Sequence, residues 1–190
     1  MRRVVVTGIG LLTPIGSGKE VFWSGLIAGK CGIAPVASFD TSAFPVHKGA
    51  EVKDFKPEAF LRRRSPQEMG RGSQLAIAAA RMAIEDSGVD ISSYERGRVG
   101  VSMGTTSGEP QIVERYNDIR KSEGLDAVPK EIPPKYPCHV IPSNVAIEFD
   151  LHGPCLMIPT ACAAGNYAIG YGFDMIRIGR ADLILSLIHI

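Results

Sequence analysis

A chain of 190 residues with 45% hydrophobic and 22% charged side chains has the composition of an ordinary globular domain with room for one core. Its formal net charge of +1 gives no electrostatic case for binding nucleic acid or a membrane surface. No apolar run approaches the roughly 20 residues that a spanning helix needs, and Val4-Val5-Val6 is too short and too soon broken by Gly8 to serve as a secretion signal.

Val4 to Thr7 is a continuous β-branched run, which predicts a strand buried on both faces. Gly8 to Gly18 reads as a turn-rich loop. Ser17-Gly18-Lys19-Glu20 reads as a capping box, with Ser17 as N-cap of a helix through Val21, Phe22, Leu26 and Ile27 that Gly29 ends. Residues 32–66, rich in Pro and Gly, are expected to form an irregular surface excursion. The strongest helix is predicted over 67–86, where Leu75, Ala79, Met82 and Ala83 share a face and Gly88 is the stop. A buried strand follows over 98–103, a polar helix over 109–123, a proline-rich loop over 125–137 and a short helix over 142–149. Residues 155–158 form the third strand, 163–178 a buried helix poor in charge, and Ala181 begins a fourth strand. Strands alternating with helices imply a layered α/β domain with a largely parallel sheet.

The segment Pro159-Thr160-Ala161-Cys162-Ala163-Ala164-Gly165 stands at one of these strand-to-helix corners. Its cysteine is flanked by residues with almost no side chain, so the thiol is accessible. Free N–H groups and the helix dipole favour an anion at that place, as a cysteine nucleophile requires. The other cysteines, Cys31, Cys138 and Cys155, make no CxxC pair, and all four are read as reduced thiols of a cytoplasmic protein. Cys and His are not clustered at ligand spacing, so no metal is expected. Gly8-Ile9-Gly10 after a strand suggests a dinucleotide loop. The third position, however, is Thr13 followed by Pro14, and the helix begins several residues later, so a glycine-rich turn is preferred.

Several motifs occur in order: Val4-Val5-Val6-Thr7-Gly8-Ile9-Gly10, Thr13-Pro14-Ile15-Gly16, Phe39-Asp40-Thr41-Ser42, and Gly153-Pro154 ahead of Thr160-Ala161-Cys162-Ala163-Ala164-Gly165. Together they resemble the β-ketoacyl-acyl-carrier-protein synthases, from the first residues to about Ile184, and most of all the elongating type or a polyketide relative. The resemblance implies the N-terminal half of a thiolase-like fold, a layered α/β arrangement with a mostly parallel mixed sheet, cut short. It implies that an acyl group passes from the phosphopantetheine arm of an acyl carrier protein to Cys162. Malonyl carrier protein then loses CO2, and the carbanion attacks the thioester. No cofactor beyond that arm is implied. Family members are homodimers, with the strand before the cysteine, here Leu156-Met157-Ile158, pairing across the twofold axis.

By the same resemblance Thr106 and Ser107, in the loop Met103-Gly104-Thr105-Thr106-Ser107-Gly108, border the acyl pocket together with Ala161. A small polar Ser107 where long-chain enzymes carry a larger apolar gate implies a primer other than a simple saturated chain. Arg62-Arg63-Arg64, the one basic cluster, could meet an acidic carrier protein or be a solvated charge run. The family's two catalytic histidines lie in the second half of its chain. His47, His139, His152 and His189 match neither site, so that part of the active site is expected to be missing.

Residues 1–184 are read as one incomplete domain. Leu185-Ser186-Leu187-Ile188-His189-Ile190 is what CTG-TCT-CTT-ATA-CAC-ATC encodes, a stretch resembling a sequencing adapter, and is expected to be a non-native tail. Two classes stay open: an acyltransferase half-domain, and a non-catalytic chain-length partner or truncated relative. Cys162 favours the first. A thiolase-type coenzyme-A enzyme is the sister reading, against which the opening motif argues.

Overall fold

The computed structural model of the chain describes residues 2–189. Two short antiparallel ribbons come first. β1 (Leu12–Thr13) pairs with β2 (Gly16–Ser17), and, after helix α1 (Lys19–Ile27), β3 (Ile33–Pro35) pairs with β4 (Lys48–Ala50). Then follow α2 (Arg71–Ser87), β5 (Val99–Gly104), α3 (Pro110–Glu123), α4 (Val140–Phe149), β6 (Cys155–Ile158), α5 (Ala164–Arg177) and β7 (Leu183–Ile188). The last three strands form a parallel sheet in the order β6-β5-β7, with Gly104 opposite Ile158 on one side and Ile188 on the other.

β5 is buried along its whole length, and its alternation sorts the layers. Val99, Val101 and Met103 join Ala76, Ile77 and Ala80 of α2 and Ile141 and Val145 of α4 in one core. Each of the Val, Ile and Met side chains, fully buried, stabilises the fold by about 1.5–3 kcal/mol. Gly100, Ser102 and Gly104 face the other way, beneath α5. A Cβ on Gly104 would stand 2.4 Å from the carbonyl of Ala164. On α5 itself, a Cβ on Gly172 would reach Ile184 of β7 at 3.0 Å. Small residues on both elements thus let α5 lie close on the sheet, giving three layers: α2 with α4, the sheet, and α5.

The alternating order of strands and helices follows the sequence pattern; several particulars differ. Residues 4–7 form no strand, and Val5 and Val6 are 61% and 81% exposed. No described strand lies beside them to take up their backbone groups. The chain instead lies along α2. A Cβ on Gly8 or Gly10 would fall 2.1 or 1.9 Å from the carbonyl oxygens of Ala83 and Ala79, and Ile9 N–H donates to Asp86 at 3.0 Å. These glycines permit close approach to a helix rather than a turn. They also explain why Leu75, Ala79, Met82 and Ala83 are only partly buried: that face carries the N-terminal segment, while Ala76, Ile77 and Ala80 enter the core.

The predicted start of α2 at residue 67 moves to Arg71, because Met69 is extended with φ −140°. Ser17 is not an N-cap. It sits in β2 opposite Leu12, and α1 opens after Gly18 at φ +83°. The 32–66 excursion contains the β3–β4 ribbon. α5 is buried along one face only, at Ala164, Ala168 and Gly172, and leaves Tyr167, Ile169 and Phe173 exposed, as is Ile178 just past its end. β7 runs through Ile184 and Leu185 without a break.

Candidate active site at the N-terminus of α5

In a parallel sheet the carboxyl ends of the strands and the amino ends of the following helices share one rim, where chemistry is placed most readily. Here β6 ends at Ile158, Pro159 and Thr160 turn the chain, and a single 3-10 turn over Ala161–Ala163 leads into α5. Ala163 N–H donates to Thr160 O at 3.2 Å. Ala161 takes the left-handed conformation, φ +48°, which costs a residue with a Cβ roughly 1–2 kcal/mol. This corner sets Cys162 at the head of α5 with its residue exposed. Ala164 N–H donates back to Ala161 O and so closes this turn onto the first residue of α5.

The loop leaving β5 reaches the same corner. Gly104 touches Ala164, two residues beyond Cys162. Thr105 is buried, and its hydroxyl donates to Ser107 O at 3.1 Å and accepts from Ser107 N–H at 3.3 Å. Thr106 and Ser107 form the exposed tip. Cys162, Ala161, Thr106 and Ser107, all singled out from sequence, therefore belong to one rim of the sheet.

Sequence reasoning missed Glu109 beneath that tip. It is 2% exposed, and its carboxylate accepts from Gly72 N–H at 2.9 Å, Ser73 N–H at 2.8 Å and Ser73 Oγ at 2.7 Å. An acidic residue ahead of Pro110 signals a helix start, but nothing in the local pattern signals a partner 37 residues upstream. The structure also brings His189 to this rim, where its N–H donates to Gly104 O at 3.1 Å and its ring Nδ1 is buried with no partner among the described residues. It lies in the segment expected to be a non-native tail, and no role is assigned to it.

The other histidines are all exposed. His47 is exposed beside Thr41, His139 is exposed at the head of α4, and His152 is exposed on Asp150. Arg62–Arg64 is neither a free basic patch nor a simple solvated run. Arg62 Nη1 donates to Leu61 O and Glu58 O, Arg63 pairs with Asp150 at 3.4 Å, and Arg64 bonds Glu68 and Asn144. Hollows of about 490 and 510 Å³ open at the opposite, amino ends of the strands, near Val99 and Leu151 and near Pro154 and Met175, away from Cys162. Among the described residues no group of three His, Cys, Asp or Glu side chains could hold a metal ion, and no helix is long and apolar enough to cross a membrane.

The profile of the family described as "Beta-ketoacyl synthase, N-terminal domain" matches residues 1–187. The 3-oxoacyl-[acyl-carrier-protein] synthase 2 of Coxiella burnetii is 36% identical over 97% of this chain and 45% of its own length. That of Vibrio cholerae is 34% identical over the same shares. The chain thus spans about half the length of these relatives. Among solved structures, the ishigamide ketosynthase/chain length factor superposes with TM-score 0.92 at 35% identity, covering 97% of this chain and 46% of that one. A β-ketoacyl synthase from Burkholderia phymatum STM815 superposes with TM-score 0.82 at 30% identity, covering 98% and 46%. The three layers are those of a ketosynthase, and the thiolase-like fold implied by the motifs is present as its N-terminal half.

Proposed function

The chain belongs to the β-ketoacyl synthase family, as its N-terminal domain, and from that premise we propose that it carries the acyl-accepting half of a condensing enzyme of fatty acid or polyketide synthesis. The observation that carries this reading is Cys162 itself, exposed at the head of α5 behind a left-handed Ala161.

The thiolate of Cys162 attacks the carbonyl carbon of an acyl thioester on the phosphopantetheine of an acyl carrier protein. A tetrahedral oxyanion forms within reach of the backbone N–H of Cys162. It collapses with cleavage of the old carbon–sulfur bond, and the departing pantetheine thiolate takes up a proton. The acyl group is left on Cys162 as a thioester. A soft sulfur suits both steps, since it attacks well and later leaves well. In the complete enzyme, malonyl carrier protein would lose CO2, and its carbanion would attack this thioester to give a β-ketoacyl chain two carbons longer. The histidines of that second half-reaction belong to the other half of the family's chain, and His47, His139 and His152 match neither of their motifs.

Thr106, Ser107 and Ala161 border the acyl chain in this reading. Acyl carrier protein is the partner, and no cofactor is used beyond its pantetheine arm. The open edge of β6 would pair with a second copy in a homodimer. A cytoplasmic setting agrees with four unpaired thiols. The alternative of a chain-length partner is disfavoured by the nucleophile at the rim. The test is to incubate the chain with an acyl thioester of carrier protein or pantetheine and locate the added mass. An acyl adduct on Cys162, absent in Cys162→Ala, supports the reading; an intact but unacylated Cys162 refutes it and favours the partner role.

A further inference from the structure

We propose that Glu109 is a positioning residue that sets the acyl-chain selectivity of Cys162 by anchoring the loop between Gly104 and Glu109. The inference rests on the acyl-acceptor reading for its biological meaning, but its geometry stands independently.

The loop is held at both ends and in the middle. Gly104 is fixed by pairing with β6 and β7 and by its contact with Ala164. Gly108 packs on the backbone of Tyr136 and Cys138, and Glu109 N–H donates to Tyr136 O at 3.3 Å. The Glu109 side chain then supplies the deepest anchor. Two consecutive N–H groups at the head of α2 and one hydroxyl converge on its two oxygens. The helix dipole favours negative charge there. Gly70 leaves the necessary room, since a Cβ on it would stand 2.3 Å from Glu109 Oε2.

The hydrogen bonds continue outward. Asn144 Nδ2 donates to Ser73 Oγ at 2.9 Å, and Arg64 Nη1 donates to Asn144 Oδ1 at 2.6 Å. Thr106 and Ser107 therefore form a short exposed bridge between a fixed strand end and a buried carboxylate. A capped helix needs only one or two acceptors from a local side chain. Here the cap comes from the far end of the loop, so the same contacts that cap α2 fix where the tip stands relative to the head of α5. Glutamine cannot substitute, because its NH2 would face an N–H donor.

The test is the ratio of alkylation rates at Cys162 by N-octyl iodoacetamide and by iodoacetamide, in the full 190-residue chain. An unfolded chain would expose Cys162 to both reagents alike, so the ratio is read under conditions where each variant is fully folded by circular dichroism. Glu109→Gln is expected to change the ratio about threefold or more, since small displacements near a reacting group have large rate effects. Ser73→Ala, which removes one of the three contacts, is expected to change it in the same direction by less. Ile77→Val, a core change one helical turn from Ser73 that keeps every Glu109 contact, should lower the melting temperature and leave the ratio unmoved. An unmoved ratio in Ser73→Ala and in any folded Glu109→Gln overturns the inference, as does an equal shift in Ile77→Val. If Glu109→Gln does not fold, Ser73→Ala decides alone. Alkylation needs only a thiol, so failure of acyl transfer in the unsubstituted chain refutes the function proposed above without touching this result.

Discussion

Gly104 lies so close to Ala164 that a Cβ on the glycine would stand 2.4 Å from the alanine carbonyl carbon and oxygen. The contact is backbone to backbone, so no side chain can swing aside. Gly104→Ala must push the first turn of α5 away from the strand ends, at a cost of about 1–3 kcal/mol as for other overpacked sites. The expected result is a lower urea midpoint together with a changed iodoacetamide rate at Cys162. A stability loss with an unchanged rate would mean that the corner shifts as a rigid unit.

Ala161 offers the opposite case. Its φ of +48° suits glycine better than alanine. Ala161→Gly relieves that conformation but adds freedom to the unfolded chain, so a gain of up to about 1 kcal/mol is expected by urea denaturation. Ala161→Val, β-branched at positive φ, should destabilise. The two variants together separate strain at the corner from crowding around it.

Glu148 is the second buried carboxylate of the domain, with a fully covered side chain. It accepts from Arg62 N–H at 2.7 Å, Arg63 N–H at 3.1 Å and Arg81 Nη2 at 2.6 Å, tying the 61–64 loop to α4. Glu148→Ala takes the charge partner from a mostly buried Arg81 and the acceptor from two N–H groups, and should cost about 3–5 kcal/mol in chemical denaturation. Glu148→Gln, which keeps one acceptor oxygen, should cost less.

Asp182 gives a pH signature. Hydrogen bonds from Arg98, at 2.5 and 2.8 Å, and from Arg2, at 2.6 Å, hold its carboxyl well below the usual carboxylate range. A depressed value in the folded state means that the stabilisation is fully present above the unfolded value, near 4, and is lost as pH falls toward the folded one. Asp182→Asn should therefore flatten the fall in melting temperature below pH about 4. Because the site is open to solvent, 1 M salt should shrink the difference between the two proteins. An identical acid limb in both would contradict the assignment.

The cysteines should also differ in rate. Although Cys155 is exposed at the edge of the sheet, burial around its thiol pushes its pKa up, leaving less thiolate at neutral pH. In iodoacetamide labelling at pH 7.5 followed by peptide mapping, Cys162 is expected to react ahead of Cys155. The reverse order would argue against an activated thiol at the corner.

The rim around Cys162 was legible because its signals are local: an apolar run, a turn, a cysteine among alanines and glycine, then a helix. β6 occupies the residues that its pattern predicted, and Gly88 ends α2 at φ +64° as a C-cap glycine should. What could not be read depends on distant partners. Val4–Thr7 has strand chemistry without a neighbouring strand among those described. Gly8 and Gly10 look like turn residues until α2 is placed across them. Glu109 reads as a helix start, and only the fold carries it to Gly72 and Ser73. Patterning assigns faces and ends; it does not say which face meets which element.

The order β6-β5-β7 has a kinetic consequence. β5 pairs with β7 from Val99 to Leu183, a closure bridged beside it by Arg98 and Asp182 across 84 positions, while its pairing with β6 joins Val101 to Cys155. A parallel sheet assembled from such distant segments has high contact order and must close long loops before it is rewarded. During synthesis the central strand would emerge well before β7, and its backbone groups would wait unpaired on that side. The nucleophile corner, whose helix packs on both strands, would gain its full support only once β7 has emerged and docked, so exposure to aggregation or proteolysis would be greatest before that pairing.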